Sequence, residues 1–183
     1  MKTSSQRSPA VRLEPVDLKH ADKMFRWMQR PDVAGNIGLR QEPTLERTRA
    51  WIERARSDDA MRAFAISSRG QHVGNAVLDL MDRHLGTARL SIYIGDPEAR
   101  GRGLGKAALR KLLATAFSRE RLFKVWLTVH VQNVRAIAAY VAVGFRLEGI
   151  LRGEFQLAGR RLDVLRMSLL AEEFRTGSKP RTL

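Results

Sequence analysis

Cysteine is absent from all 183 residues. Disulfide staples, thiolate metal sites and a cysteine nucleophile are thereby excluded, and a reducing compartment, the cytoplasm, is the expected location. Long apolar runs are missing as well. No stretch nears the 18 or so residues that a membrane span requires, so no membrane partner is expected. The first ten residues, Met1 to Ala10, contain no apolar signal segment and read as a short flexible arm. Histidine is scarce. His20, His72, His84 and His130 are scattered without i, i+4 pairing, and no metal site is expected. A Gly-x-Ser-x-Gly elbow is lacking, which argues against a serine hydrolase. Aromatic residues make up only 7% and do not cluster with the arginines, a poor composition for a nucleic-acid stacking platform.

Positive charge is what the sequence has in excess. Its 33 Lys and Arg against 19 Asp and Glu leave a net +14. Five of the basic residues (Lys2, Arg7, Arg175, Lys179, Arg181) and none of the acidic ones lie near the termini, so the body keeps +9. Such a field favours an anionic partner: nucleic acid, a phosphorylated cofactor or an acidic substrate. The length suits one domain, expected over residues 11–172 between an arm at 1–10 and a flexible tail at 173–183.

Hydrophobic periodicity gives the order of elements. Val11 to Val16 alternates like a strand, and Asp17 is placed to cap a helix from Leu18 to about Arg30, stopped by Pro31. Thr44 caps a second amphipathic helix carrying Leu45, Thr48, Trp51, Ile52 and Ala55 on one face. Three alternating segments between Met61 and Gly95 read as an antiparallel meander. Leu109, Leu112, Leu113, Ala116 and Phe117 recur at helical spacing, Lys124 to Val131 is a β-branched run, and Asn133 and Gly144 bracket another helix. Phe145 to Leu151 and Leu162 to Leu170 pair around Gly159. The fold class is α/β in the α+β sense: a mixed, mostly antiparallel sheet flanked by helices on both faces.

Between meander and helix lies the segment richest in chemistry. Gly101, Gly103 and Gly105 alternate with Arg100, Arg102, Leu104 and Lys106 where a strand ends and a helix begins. Glycines let the backbone bend and approach a ligand, and the helix's first amides have no internal partner. Together with the helix dipole and three full charges, this makes a diphosphate cradle. It is not a Walker A loop, because only three residues separate Gly101 from Gly105 and Ala107 follows Lys106. It is not the dinucleotide fingerprint either, since the third glycine is wrongly spaced and an antiparallel meander precedes it.

Ile92 to Gly105 resembles the acetyl-CoA-binding segment of the GNAT-superfamily N-acetyltransferases, whose Gln/Arg-x-x-Gly-x-Gly/Ala signature is met by Arg100, Gly103 and Gly105. Val129 to Tyr140 with Gly144-Phe145 resembles that family's second cofactor motif. Glu148-Gly149, Arg152, Glu154, Gly159 and Asp163 to Met167 resemble the ending of the branch that acetylates ribosomal-protein N-termini and polyamines. The resemblance covers roughly residues 10–172 and implies acetyl-CoA as co-substrate and no metal.

It also implies roles for single residues. Ile92 and Ile94, on a strand splayed from its neighbour, would pair with the pantetheine arm, with Tyr93 between them. Amides of Gly101 through Lys106, including Arg102, Gly103, Leu104 and Gly105, would hold the pyrophosphate beside Arg100. Asn133 would contact the cofactor arm while capping its helix, and Ala136 would leave room for it. Tyr140 would be the general acid toward the departing thiolate. The resemblance assigns no base; from the need to deprotonate the amine, Glu154 and Asp79, with Asp82 behind them, are candidates for accepting its proton, Glu154 alternatively as an acceptor contact. The acceptor pocket is expected from Met24 to Leu39, including Trp27 and Asn36, from the tip around Met81 and from the final hairpin. Acceptors in contention are a protein N-terminus, including a ribosome-associated one, a polyamine or small amine, and a nucleotide-linked amino sugar. A homodimer is also in contention. Nucleic acid is not required, and the competing class is a basic nucleic-acid-binding module on an inactive acetyltransferase fold.

Overall fold

The computed structural model describes residues 9–39, 41–157 and 159–177. Seven strands form one sheet: β1 (Arg12–Pro15), β2 (Arg62–Ser68), β3 (Gln71–Asp82), β4 (Thr87–Ile94), β5 (Lys124–His130), β6 (Arg146–Leu157) and β7 (Arg160–Leu170). They run in the order β1-β2-β3-β4-β5-β7-β6. Every neighbouring pair is antiparallel except β4 with β5. Helices α1 (Ala21–Met28), α2 (Pro31–Ile37), α3 (Leu45–Ser57), α4 (Leu104–Ala114), α5 (Val134–Val141) and α6 (Ala171–Thr176) complete the described chain.

Two cores cover the two faces of the sheet. On one, Leu109, Leu112 and Leu113 of α4 pack with Ile66, Leu78, Leu127 and Met167, all buried. On the other, Ala21 and Met24 of α1 and Ile52 and Ala55 of α3 close over Ala63. Neighbouring residues of β2 thus enter opposite cores, as strand alternation requires. The expected mixed sheet with helices on both faces is what forms. Thr44 and Asn133 cap their helices as expected, with Thr44 Oγ1 accepting from the Arg47 amide at 3.1 Å and Asn133 Oδ1 from the Ala136 amide at 3.1 Å.

Three segments differ from expectation. The single helix from Leu18 to Arg30 is a 3-10 turn (Leu18–His20) followed by α1, and Pro31 does not merely stop it. Pro31 opens α2, because a proline lacks only an N–H that the first helical turn would leave unpaired. Arg30 before it is extended, as the proline ring demands. The last hairpin is longer than its apolar pattern suggested, with β6 reaching Leu157 through two irregularities, one between Leu147 and Gly149 and one between Leu151 and Phe155. The tail expected from residue 173 begins as α6. The Glu173 carboxylate accepts from the Leu170 amide at 3.0 Å, and Phe174 packs on Phe117 with ring centroids 5.4 Å apart. Residues 178–183 and residues 1–8 of the expected arm lie outside the described residues.

Candidate active site

The parallel pairing of β4 with β5 lasts only from Thr87 to Arg89, opposite Lys124 to Trp126. Beyond it β4 keeps its bond to β3 as far as Ile94 and leaves β5. Residues packed behind β4 hold this wedge open. The amides of Gly95 and Asp96 both donate to the Val73 carbonyl, at 2.9 and 3.1 Å. The Tyr93 hydroxyl donates to buried Asn75 Oδ1 at 3.0 Å, and burial raises that phenol's pKa. Two glycines permit the close approach. A Cβ on Gly74 would lie 2.2 Å from the Tyr93 carbonyl oxygen, and one on Gly95 would lie 2.1 Å from the Trp27 indole. Trp27 is therefore a buried wedge behind β4 rather than part of an acceptor pocket, and Met81 is likewise buried in the core.

Because Gly95 faces β3, alternation turns the backbone groups of Ile94 and Ile92 toward the gap. Across the gap stands α5. At the upper end, Gly101 and Gly103 take left-handed backbone angles, φ 77° and 74°, and turn the chain into α4. The first intrahelical bond there runs from the Ala107 amide to the Gly103 carbonyl at 3.1 Å, so the amides of Leu104, Gly105 and Lys106 are left over at the helix N-terminus. The resulting cleft has a volume of about 530 Å³.

The structure brings together on this cleft Ile92, Ile94, Arg100, Gly101, Gly103, Leu104, Gly105, Lys106, Asn133, Ala136 and Tyr140. Arg102 is exposed on the loop but does not line it. Glu154 is not brought there either: it stands on an exposed position of β6. The other base candidates are committed elsewhere. Both Asp79 oxygens accept from the Arg89 guanidinium, at 2.8 and 2.7 Å, and Asp82 Oδ1 accepts from the Leu85 amide at 2.9 Å in a turn.

Tyr140 lies in the floor of the cleft against Phe145, ring centroids 5.7 Å apart. Burial pushes its phenol up to about 12, which keeps the proton on oxygen. Among the described residues no group hydrogen-bonds that hydroxyl.

Sequence reasoning missed how α2 closes the cleft. Arg100 donates from Nε to the Ile94 carbonyl at 2.9 Å and pairs with Asp32 of α2. Asn133 donates from Nδ2 to Asn36 Oδ1 at 2.9 Å, and His130 Nε2 lies 3.1 Å from the Gly35 carbonyl. One short helix thus bridges both lips. Among the described residues Asp32 is the only carboxylate on the cleft, and hydrogen bonds from Arg100 and then Arg30 hold it down at about 2. Arg135 was missed as well. It follows a capping asparagine, and only the docked helix reveals which way it points. Among the described residues no three His, Asp or Glu side chains converge as a metal site would need, and no helix is long and apolar enough to cross a membrane.

A wedge between parallel strands, topped by a glycine turn and a free helix N-terminus, is what sets this domain apart. Residues 10–146 match the acetyltransferase (GNAT) domain, and the chain belongs to that family. It is 29% identical over 117 residues to the spermidine N(1)-acetyltransferase of Escherichia coli (strain K12), an alignment covering 64% of this chain and 62% of that protein. It is 33% identical over 113 residues to the [ribosomal protein bS18]-alanine N-acetyltransferase of Salmonella typhimurium, covering 62% of this chain and 66% of the relative. In fold it matches the crystal structure of spermidine N-acetyltransferase from Vibrio cholerae in complex with CoA and spermine. There the TM-score is 0.85 at 23% identity, over 90% of this chain and 98% of that one.

Proposed function

We propose that the protein transfers an acetyl group from acetyl-CoA to a primary amine by direct attack within a ternary complex. The free edge of Ile92 and the Ile94 amide pair with the pantetheine arm, the amides of Gly101 to Lys106 receive the diphosphate, and Asn133 and Ala136 border the arm. The amine nitrogen attacks the thioester carbonyl and forms the N–C bond. As the C–S bond breaks, Tyr140 gives its proton to the sulfur, the ammonium proton leaves to water, and water returns a proton to the Tyr140 phenolate. The observation that carries this reading is the Tyr140 hydroxyl, protonated and without a protein partner among the described residues, inside a cleft capped by unpaired amides. An inert nucleic-acid module would have no use for it.

The acceptor we infer is an amine of low basicity, such as a polypeptide N-terminus. Among the described residues the cleft offers no carboxylate able to take a proton, since Asp32 is held at about 2. An acceptor must then arrive partly neutral. At pH 7.5 roughly a quarter of an α-amine is neutral, against about one part in a thousand of a lysine-like amine. Two carboxylates of the sheet are also taken. Asp79 is paired with Arg89, and Glu148 with Lys124 and Arg166. The relative named for alanine acetylation fits an amine of low basicity better than those named for spermidine.

The test follows CoA release at pH 7.5 with a panel of free N-terminal peptides, N-blocked lysine peptides and spermidine. The highest kcat/KM is expected for an α-amine. Spermidine outpacing every peptide would overturn the acceptor, and no release with any amine would overturn acetyl transfer itself.

A further inference from the structure

The arginine of the glycine signature is occupied. Its Nε donates to the Ile94 carbonyl at 2.9 Å, its Nη1 pairs with Asp32, and Arg30 braces the same carboxylate at 3.1 Å. To reach a phosphate, Arg100 would have to give up a carbonyl and a charge-assisted pair together. Another guanidinium stands free on the opposite wall. Arg135, in the first turn of α5, brings Nη2 to 3.6 Å from where a Cβ on Gly101 would stand. It forms no ion pair or hydrogen bond among the described residues, and it lines the cleft with Lys106.

We propose that Arg135, rather than Arg100, is the guanidinium that grips a phosphoryl group of the carrier, and that Arg100 is a clip fastening the glycine turn to α2. This rests on the reading of the cleft as the acetyl-CoA site. An anion entering there lies between the spare amides of α4 and the Arg135 fork, with the α5 N-terminus behind that fork. Neither helix has an acidic residue in its first turn to compete for either. A planar fork suits two phosphoryl oxygens, and the fork stands within van der Waals reach of the Gly101 turn. The phosphoryl group has two sources in CoA, the pyrophosphate and the ribose phosphate.

The experiment compares dissociation constants by calorimetry for acetyl-CoA and acetyl-dephospho-CoA, and KM for acetylpantetheine, in wild type, Arg135→Gln, Arg135→Lys and Arg100→Gln. Arg135→Gln is expected to weaken acetyl-CoA about tenfold, to leave the KM for acetylpantetheine unchanged, and to be only partly rescued by lysine. The same penalty with the dephospho carrier identifies the pyrophosphate as the group held. A penalty that vanishes identifies the ribose phosphate. Arg100→Gln is expected to lower the melting temperature and to shift all three donors alike. The proposal is overturned if Arg135→Gln binds acetyl-CoA as wild type does, or if the phosphate-dependent loss falls on Arg100→Gln. A wild-type protein that binds no acetyl-CoA would instead refute the carrier site itself.

Discussion

Gly95→Ala is the sharpest probe of what keeps the wedge open. The added methyl would lie 2.1 Å from Trp27 Cδ2, 2.4 Å from Cε3 and 2.5 Å from Cγ, where carbon pairs settle at about 3.5–4.0 Å. The indole or the strand must then retreat by about 1.5 Å. Trp27 has little room, being 9% exposed and flanked by His72 at 4.7 Å and Tyr93 at 6.3 Å between ring centroids. Overpacking of this kind costs about 1–3 kcal/mol. For a chain of this size that lowers Tm by roughly 2–12 °C. If instead β4 gives way, its end moves into the gap and acetyl-CoA binding weakens. The assay pairs thermal melting with calorimetric titration in Gly95→Ala, Trp27→Ala and the double variant. Once the indole is gone, the alanine should cost under about 0.5 kcal/mol. An equal Tm loss with and without Trp27 would refute the steric account.

Two further outcomes are expected. Tyr140→Phe should lower kcat by about 10²–10⁴ while the acetyl-CoA dissociation constant stays as in wild type; an unchanged kcat would remove Tyr140 from the proton transfer. Burial, with His20 beside it, holds the His72 imidazole down at about 4, against about 6.5 in an unfolded chain. The unfolded chain therefore takes up a proton first, so stability is full above pH 6.5 and falls between about 6.5 and 4, by roughly 3 kcal/mol in total. Urea midpoints across that window should slope in wild type and flatten in His72→Gln, and parallel slopes would exclude His72 as the cause.

The parts legible in the sequence are those written in local chemistry. Alternating glycines and cations from Arg100 to Lys106 announce a turn into a helix, and Thr44 and Asn133 mark helix starts, because each pattern acts within a few residues. Pro31 misled because one proline can both end a helix and begin the next, and only the extended Arg30 before it decides which. What props the wedge was not legible. Gly74, Gly95, Asn75 and Trp27 look like ordinary strand and helix residues until the sheet brings them behind β4. The same holds for Arg100, whose partner Asp32 is 68 residues away in sequence. Glu154 was named on motif position, which carries no information on which side of a bulged hairpin strand a carboxylate will stand.

The short β4–β5 contact also sets a length standard. From Leu90 to Ile94 the freed stretch is five residues, about 17 Å at strand rise. That span is fixed at one end by the glycine turn and at the other by the last shared rung of the sheet. A donor anchored by its phosphates must place its reactive carbon one such span away. Thioesters on a shorter or longer stalk would be gripped equally well and yet stop out of step with the Tyr140 hydroxyl.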